Sequence, residues 1–276
     1  MSSLRLLAVF AHPDDEVAIG GTLARYAHSG AEVTLVCATR GEAATIYCED
    51  CATRETLAAV RTAELECACR QLGIQRLLWL DWPDGGIQGI PLATALARLV
   101  PLIRRLRPHV FVTHPPHGGY PHPDHIGLHD RVLAAFHAAA DPTFADEEGL
   151  PAWATPKLYA WALPETAFDL LPGLRDYRVH LNGQALPFVG EPAANIHCAI
   201  DTRAWAEARI AAWACHRSQH NPRGFFSRLP HELQKELYAR EYLRLLAHHL
   251  PADPPYHEAL EAGLGDGEWT IDDGRW

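Results

Sequence analysis

The sequence predicts an α/β fold in which a mainly parallel, doubly wound sheet carries helices on both faces. Two observations indicate this fold. Short apolar runs alternate with amphipathic helical segments through residues 1–140, and clusters of polar side chains directly follow two of those runs. Such alternation is typical of parallel strands that are joined by right-handed helical crossovers. Because ligands bind at the carboxyl ends of such strands, we expect a functional site there.

The elements of this core follow from apolar periodicity and from helix stop signals. Four strands are expected, at residues 4–11, 32–39, 76–81 and 109–113. Four helices are expected, at residues 16–28, 54–72, 92–106 and from 125 to about 140. Gly73 directly follows the second helix, where glycine commonly adopts the left-handed conformation that ends a helix.

The second half of the chain predicts a C-terminal α/β elaboration, so that residues 1–276 form a single domain. Prolines divide this region into loops around short strands at 157–163 and 195–200. Two amphipathic segments, at 202–219 and 232–249, predict helices. A chain of this length can bury a substantial core.

Composition and charge exclude several classes of protein. The chain has 24 Lys and Arg against 34 Asp and Glu, and its net charge of −10 argues against binding to a nucleic-acid backbone. No apolar stretch approaches the roughly 20 residues of a membrane span, and the N-terminus lacks a signal-peptide pattern. We therefore expect a cytoplasmic protein whose partner is a small molecule, and the sequence leaves a homo-oligomer open. The seven cysteines are odd in number, so a disulfide framework is not expected.

Two polar clusters carry candidate metal ligands. The first, AHPDDE, places His12 and Asp15 in the turn after the first strand, and the second, HPDH, places His125 after the fourth strand. In a parallel sheet these two strand ends can be neighbours. Two imidazoles and one carboxylate then form a three-ligand site with open positions for water and substrate. Such a site lowers the pKa of bound water to about 7 and polarises a carbonyl group.

The same clusters offer groups for proton transfer. Asp14 can accept the proton of an attacking water, and a protonated His122 can stabilise an oxyanion or protonate a leaving amine. The carboxylate of Asp124 can hydrogen-bond His122 and raise its pKa. Glu16 is expected to be an acidic residue of the first helical turn. One His-Pro-Asp tripeptide is more often a turn with a capped helix, but two clusters after two strands favour a metal-dependent hydrolase.

Six segments together resemble a known family. They are AHPDDEVAIGGTLARYAHSG at 11–30, TRGEA at 39–43, RTAELECACRQLGI at 61–74, DWPDGG at 81–86, GGYPHPDH at 118–125 and, more loosely, HRSQ at 216–219. On these segments the chain resembles the LmbE-like, or PIG-L, family of zinc-dependent N-acetylglucosaminyl deacetylases. The resemblance implies a Rossmann-like fold. It also implies hydrolysis of the N-acetyl group of an N-acetylglucosamine conjugate, with release of acetate and a free amine.

Carried over residue by residue, the resemblance assigns roles within these segments. His12, Asp15 and His125 correspond to the metal ligands, which would hold Zn²⁺ or alternatively Fe²⁺. The residues that correspond to catalytic groups are Asp14 as base, His122 as acid or oxyanion stabiliser, Asp124 as its orienting partner, and Tyr120. Tyr120 matches a tyrosine of mycothiol-pathway deacetylases that assists the tetrahedral intermediate.

Five further residues are candidate contacts to the amino-sugar substrate: Arg61, Glu42, Arg40, Asp84 and His216. Arg61 lies in the helical R-x-x-E pattern of the family, and the alternative is an exposed arginine paired with the glutamate of that pattern. Arg40 and Glu42 follow the second strand, and Asp84 follows the third. His216 of HRSQ would enter the site from the C-terminal region, and the alternative is a capping or core histidine.

The resemblance favours a substrate from a thiol-cofactor pathway, such as the N-acetylglucosaminyl malate of bacillithiol biosynthesis or an inositol glycoside. A chito-oligosaccharide or an antibiotic sugar is an alternative substrate. The GGYPHPDH segment also resembles amidases that cleave a glucosaminyl thiol conjugate. From other classes, two histidines and one carboxylate also describe non-haem iron oxygenases, and a sugar-binding protein with an idle site stays open.

Four cysteines are not signature residues of the family: Cys48, Cys51, Cys67 and Cys69. A structural zinc site is one interpretation of them, and a redox-active role is another. However, Cys67 and Cys69 would point about 200° apart on a helix, so they cannot easily share one ion. Ordinary small, partly buried thiols are the favoured interpretation.

Overall fold

The computed structural model describes residues 3–48, 50–145, 148–171, 173–181, 183–252, 254 and 256–264. The end of the predicted domain, residues 265–276, lies outside the described residues. The described part forms one seven-stranded sheet, a separate two-stranded hairpin, and helices that pack on the large sheet. This architecture confirms the predicted α/β class.

Nine strands lie within the described ranges: β1 (Arg5–Phe10), β2 (Glu32–Cys37), β3 (Arg76–Trp79), β4 (Val110–Thr113), β5 (Lys157–Ala162), β6 (Arg178–Leu181), β7 (Gln184–Pro187), β8 (Cys198–Asp201) and β9 (Arg240–His248). The large sheet has the order β3-β2-β1-β4-β5-β9-β8. Strands β1 to β5 pair in parallel, and β9 is antiparallel to both β5 and β8. The four predicted core strands are therefore present, each within a few residues of its expected bounds.

The α-helices among the described residues are α1 (Gly20–His28), α2 (Leu57–Leu72), α3 (Leu92–Leu106), α4 (Pro123–Ala140), α5 (Ala167–Leu170), α6 (Ala206–Cys215) and α7 (His231–Leu237). As expected, Gly73 directly follows the end of α2 and has a φ of +70°. The helix predicted at 16–28 is divided, because a 3-10 turn over Asp15–Ile19 precedes α1. No described helix is both long enough and apolar enough to cross a lipid bilayer.

The core consists of two apolar clusters, one on each face of the sheet. Alternate residues of β1 enter different clusters, with Leu6 in the first and Leu7 in the second. This follows from the strand geometry, because successive side chains point to opposite faces. Leu65 of α2 packs in the first cluster and Leu128 of α4 in the second. The central strand is therefore buried on both faces, as expected for a parallel sheet covered by helices.

The order of the strands reverses beside β1. The chain runs outward from β1 to β2 and β3, and then returns to form β4 on the other side of β1. Leu6 pairs with Val110 and Ala8 with Val112, so the carboxyl ends of β1 and β4 are adjacent. A crevice forms where the strand order reverses in this way, and ligands bind there. The two polar clusters of the sequence follow these two strand ends.

The C-terminal region departs from the sequence prediction at residues 232–249. The single predicted helix is wrong, because α7 ends at Leu237 and the chain continues as β9. The leucine-rich β9 segment has a high helix propensity, but pairing with β5 and β8 satisfies its backbone on both sides. Tertiary context overrides propensity here. The β6–β7 hairpin was also not predicted.

The cysteines form bonds that the sequence did not predict. Cys48 is disulfide-bonded to Cys51, and Cys67 of α2 is bonded to Cys215 at the end of α6. The expectation of free thiols, or of a structural zinc, is therefore wrong at these positions. Cys69 is free and buried, in agreement with the different directions expected for it and Cys67. The Cys67–Cys215 bond ties the C-terminal region to the core across 148 residues of sequence.

Candidate metal centre and catalytic cavity

The turn after β1 fixes its polar side chains through local contacts. The backbone N–H of His12 donates to the Asp15 carboxylate at 2.8 Å. Asp14 adopts a left-handed backbone, with φ +104° and ψ −21°, a conformation that costs a non-glycine residue about 1–3 kcal/mol. One carboxylate oxygen of Glu16 accepts the backbone N–H of Asp14 at 2.9 Å. The strained residue is therefore held by the side chain two positions later.

The segment between β4 and α4 presents the second cluster. His122 is the N-cap residue of α4, and its Nδ1 accepts the backbone N–H of Asp124 at 3.1 Å. Pro123 occupies the first helical position, where its missing N–H and fixed φ fit. His125 follows in the first turn and is buried. Local sequence therefore fixes the start of α4, which carries His125 toward the turn after β1.

Donor atoms of three residues from the two segments lie close enough to share one cation. The Nε2 atom of His125 is 3.3 Å from Nδ1 of His12 and 3.2 Å from a carboxylate oxygen of Asp15. Nδ1 of His12 is also 3.3 Å from the other carboxylate oxygen of Asp15, and we call these three residues the donor triangle. Ligands of a tetrahedral Zn²⁺, each about 2.0–2.1 Å from the ion, lie about 3.3 Å apart. The donor triangle therefore fits such an ion in spacing and in ligand type.

The other ring nitrogens of the two histidines face oxygen acceptors. Nδ1 of His125 donates to the carbonyl of Gly118 at 2.9 Å. Nε2 of His12 lies 3.1 Å from Asp84 and 3.3 Å from Asp124. Burial alone would lower the pKa of His12, but the surrounding carboxylates raise it well above its ordinary value. Such outer partners orient metal-binding imidazoles and increase their basicity. Because a metal ion binds the neutral ring, a cation has to displace the extra proton of His12.

A second group of donors also lies within reach of one ion, namely His12, His122 and Asp124. The Asp124 carboxylate is fully buried and already accepts the backbone N–H groups of Gly85 at 2.7 Å and Ile87 at 2.9 Å. Nδ1 of His122 is occupied by the N-cap hydrogen bond. Because these donors are engaged, the donor triangle is the better candidate, and Asp124 serves as an outer partner of His12.

Asp14 lies beside the donor triangle and lines a cavity. Its side chain is 26% exposed, and its carboxylate is 3.2 Å from the guanidinium of Arg61. Burial raises the pKa of Asp14 to about 6, although Arg61 opposes this shift. A carboxyl group with a pKa close to the working pH is well suited to accept a proton from water.

Tyr120 and His122 both contact the ring of His125, with ring centroids 5.0 and 4.7 Å away. Burial raises the pKa of Tyr120 well above its ordinary value, so its hydroxyl stays protonated and can donate. Burial and the neighbouring histidines His125 and His12 lower the pKa of His122 to about 3. This direction does not favour the protonated His122 that the sequence predicts. In the neutral ring Nδ1 accepts a hydrogen bond, so the proton lies on Nε2.

Asp124 contacts His122 differently from the prediction. The N-cap geometry places the backbone N–H of Asp124, and not its carboxylate, against the imidazole ring. The carboxylate instead lies 3.3 Å from His12. The predicted hydrogen bond in which His122 donates to the Asp124 carboxylate is therefore wrong, and His122 is oriented through the backbone.

Two predicted substrate contacts, Asp84 and Glu42, support the centre from the neighbouring loops. The hydrogen bond from His12 lowers the pKa of Asp84 to about 2, although burial acts in the opposite direction. The Asp84 carboxylate also accepts the backbone N–H of Ala43 at 2.7 Å. One oxygen of Glu42 accepts the backbone N–H of Asp84 at 2.9 Å. Its other oxygen is buried without a hydrogen-bond partner among the described residues, so a substrate contact there remains a proposal.

Arg40 and Arg61, also predicted as substrate contacts, are engaged by the protein. Arg40 pairs with Asp81 and lies over an indole ring at 3.9 Å. Arg61 is 2% exposed and donates to the backbone oxygens of Pro13 and Gly41. Neither arginine belongs to the described lining of the cavity. The geometry does not support these two predictions, because protein groups accept hydrogen bonds from both guanidinium groups, although Nε of Arg61 is buried without a hydrogen-bond partner among the described residues.

His216, the last predicted substrate contact, is a core histidine. It is fully buried, and its Nε2 donates to Glu16 at 2.6 Å. Burial lowers the pKa of His216, but the Glu16 carboxylate outweighs this effect and raises it. The structure thus favours the alternative of a core histidine for His216. It also shows that Glu16 pairs with His216, which the sequence did not reveal.

A cavity of about 480 Å³ opens beside the donor triangle and is lined there by Asp14, Asp15, Tyr120 and His125. Its remaining walls are largely aliphatic and aromatic and come mainly from the C-terminal elaboration; they include Trp161, Leu163, Leu174, Phe188, Trp213 and Leu237. Sequence reasoning missed these wall residues, because apolar side chains in loops and short helices carry no motif.

His114 was also not predicted from the sequence. It follows β4 directly, its ring stacks on His125 with centroids 4.0 Å apart, and its Nε2 accepts the backbone N–H of Ala11 at 3.1 Å. Burial lowers the pKa of His114 to about 3, so the ring is a neutral acceptor. Its position at the end of β4, beside β1, is the signal that could have identified it.

Known proteins match the chain over both polar clusters. The sequence profile of the PIG-L family, described as GlcNAc-PI de-N-acetylase, matches residues 7–136. A relative from Thermomonospora curvata, named 1D-myo-inositol 2-acetamido-2-deoxy-alpha-D-glucopyranoside deacetylase, is 35% identical over 291 residues. That match covers 95% of this chain and 96% of the relative, so the similarity extends through the C-terminal elaboration.

Solved structures share the architecture. A conserved protein of Thermus thermophilus is 25% identical and superposes with a TM-score of 0.63 over 90% of this chain and 97% of that chain. The N,N'-diacetylchitobiose deacetylase of Pyrococcus horikoshii is 21% identical, with a TM-score of 0.65 over 89% of this chain and 84% of that chain. At that identity the second similarity shows the fold alone. Both agree with the mostly parallel sheet described above.

Proposed function

The chain belongs to the PIG-L family, and from this membership we propose that it is a metal-dependent hydrolase that removes the N-acetyl group from an N-acetylglucosamine conjugate. The products are acetate and a free primary amine. The named relative supports this substrate class, because its substrate is a 2-acetamido-2-deoxyglucopyranoside. The coverage of that match also supports the proposal that residues 1–276 act as one domain.

The observation that carries the proposal is a donor triangle with the carboxylate of Asp14 beside it but outside it. His12, Asp15 and His125 would hold the cation, while Asp14 stays outside the triangle and faces the same cavity. Metal-dependent hydrolysis of an amide uses both parts, a Lewis acid for the carbonyl and a base for the water. The cavity provides space for a sugar next to them.

The residues of the chain then divide the reaction between them. When bound, zinc would polarise the acetamide carbonyl and lower the pKa of a water molecule. Asp14 accepts the proton of that water as the new C–O bond forms. The Tyr120 hydroxyl and the Nε2–H group of neutral His122 donate hydrogen bonds to the oxyanion of the tetrahedral intermediate. Asp14 returns the proton to the nitrogen as the C–N bond breaks, because the low pKa of His122 keeps its ring neutral at neutral pH, without an extra proton to give.

The finer assignments are proposals of the same kind. The spacing of the donor triangle supports Zn²⁺, with Fe²⁺ as the alternative. The name of the relative supports an inositol glycoside ahead of the N-acetylglucosaminyl malate of bacillithiol biosynthesis. A cytoplasmic location and a homo-oligomer stay predictions from the sequence.

Two other functions are less well supported. An amidase acting on a glucosaminyl thiol conjugate and a non-haem iron oxygenase would both use two histidines and one carboxylate. The relatives are deacetylases by name, which does not favour either alternative. The base Asp14 beside the donor triangle also has a use in hydrolysis that oxygen activation does not require.

A panel of substrates tests the proposed function. Metal-loaded protein is incubated with N-acetylglucosaminyl inositol, N-acetylglucosaminyl malate, N,N'-diacetylchitobiose and a glucosaminyl thiol conjugate, and primary amine and acetate are quantified. We expect equimolar amine and acetate, with the inositol glycoside the best substrate. Cleavage of the thiol conjugate alone would favour the amidase, and no amine from any member would contradict the proposal.

The rate should depend on pH through Asp14. A general base acts in its deprotonated form, and the pKa of Asp14 is about 6, so kcat/KM is expected to fall as the pH falls through about 6. A bound cation would move this limb to lower pH, because a positive charge favours the carboxylate. The measurement is kcat/KM between about pH 5 and 8 with metal content checked at each pH. A fall in kcat/KM centred well above pH 6, at constant metal content, would contradict the assignment of Asp14 as the base.

A further inference from the structure

We propose that Glu16 and His216 form a buried pair that positions the general base Asp14, an inference that rests on the proposed function. The HRSQ segment of the C-terminal elaboration would thereby control the rate of proton transfer without touching the substrate. Glu16 and His216 are positioning residues in this account, because they act through Asp14.

The carboxylate of Glu16 joins two segments that are 200 residues apart in sequence. One oxygen accepts the Nε2–H group of His216 at 2.6 Å, and the other accepts the backbone N–H of Asp14 at 2.9 Å. Both side chains are almost completely buried. Water therefore cannot replace either donor, and losing one of them would leave a buried carboxylate oxygen unpaired.

Asp14 requires such a partner because its backbone is left-handed, with φ +104°. A non-glycine residue stays in this region only where its surroundings hold it there. Release of its N–H group would allow the backbone to relax, and the carboxylate would turn away from the cavity. A displacement of about 1 Å between reacting groups can lower a rate about 100-fold.

His216 is itself anchored by contacts that do not involve the base. Cys215, the preceding residue, is disulfide-bonded to Cys67 of α2. Two residues later, the backbone N–H and the hydroxyl of Ser218 donate to Glu64 of α2 at 2.7 and 2.6 Å. His216 is therefore held from both sides, and Glu16 meets a donor whose position is fixed.

The Ser218–Glu64 contact supplies a matched control. Glu64 is a buried glutamate that accepts two hydrogen bonds from the same HRSQ segment, as Glu16 accepts one from His216. It makes no described hydrogen bond to Asp14. A general loss of stability in this segment would therefore affect the Glu16 and Glu64 variants alike, whereas a loss of positioning would affect only the Glu16 variant.

Glu16→Gln keeps the shape of the side chain but turns one of its two acceptors into a donor. We expect kcat to fall about 10- to 100-fold, with KM and metal content changed by less than about twofold. Glu64→Gln should lower the stability to unfolding to a similar extent, yet leave kcat within about threefold of the original chain. Equal losses of kcat in the two variants, or an unchanged kcat in Glu16→Gln, would overturn the proposal.

A pair of variants at His216 gives a rescue test. His216→Leu removes the N–H donor, and we expect kcat to fall at least about tenfold. His216→Gln places an amide N–H near the position of Nε2 and should restore most of that loss. Equal losses of kcat in both variants, at equal stability, would overturn the proposal, because the volume of the side chain would then matter and not its hydrogen bond.

Hydrogen exchange at the Asp14 amide separates this inference from the proposed function. We expect exchange at least about tenfold faster in Glu16→Gln than in the original chain, and unchanged exchange in Glu64→Gln. This readout does not require any turnover. If the original chain releases no amine while the exchange behaves as expected, only the proposed function fails. If amine is released but the Asp14 amide stays equally protected in Glu16→Gln, only the positioning role fails.

Discussion

Asp14→Asn is expected to lower kcat by about 10²- to 10⁴-fold while the metal content of the protein stays unchanged. Asparagine has nearly the same shape but cannot accept a proton from water at neutral pH. Asp14 lies outside the donor triangle of His12, Asp15 and His125, so the ion should remain bound. The expected loss corresponds to about 3–5 kcal/mol of transition-state stabilisation.

Asp81→Asn is the matched control for this variant. Asp81 also has a positive φ, of 55°, also follows a strand, and also pairs with an arginine, Arg40. It is not part of the described lining of the cavity. We expect its kcat to stay within about twofold of the original value. Both variants are assayed by amine release and by elemental analysis, and near-normal turnover in Asp14→Asn would remove the base from the mechanism.

His125→Ala is expected to bind zinc more than about 100-fold more weakly and to lose turnover at ordinary metal concentrations. Two ligands, His12 and Asp15, would remain, and both come from the same turn. The outer hydrogen bond from His125 to Gly118, which orients the ring, would also be lost. Zinc affinity is measured by competition with a chelator, and folding is followed by circular dichroism.

His129→Ala is the control, because His129 is buried and lies one turn later on α4. It donates to the backbone of His114 at 2.9 Å and belongs to neither described group of metal donors. We expect it to lower stability without changing zinc affinity by more than about threefold. Retention of tight zinc binding in His125→Ala would exclude the assigned ligand set.

The core and the donor triangle could be predicted because their signals are local. The strand–helix alternation determines the parallel sheet, and the reversal of strand order places the ends of β1 and β4 side by side. His12, Asp15 and His125 then meet without any contribution from the C-terminal region.

The outer parts of the site could not be predicted, because they depend on contacts between distant segments. The partner of Glu16 is His216, and the Asp84 carboxylate, predicted to contact the substrate, faces the His12 ring together with that of Asp124. Arg61 is a residue whose charge suggested a ligand, yet its donors reach the backbone of Gly41 and Pro13. Which acceptor a buried polar group finds is decided by tertiary structure.

The segment Arg240–His248 shows the same limit for secondary structure. Its leucines at positions 243, 245 and 246 suggest a helix, but the sheet has a place between β5 and β8 that this segment fills. The strand is stabilised by backbone hydrogen bonds along both of its edges, to β5 and β8, and no local sequence pattern reveals these partners. The apolar walls of the cavity escape sequence reasoning for a similar reason.

Anomalous diffraction at the zinc absorption edge, from crystals of the zinc-loaded protein, tests the central claim most directly. We expect one strong peak within about 2.0–2.2 Å of Nδ1 of His12, Nε2 of His125 and a carboxylate oxygen of Asp15, with Asp14 outside the coordination sphere. A principal peak among His12, His122 and Asp124, or no peak at the ends of β1 and β4, would contradict it.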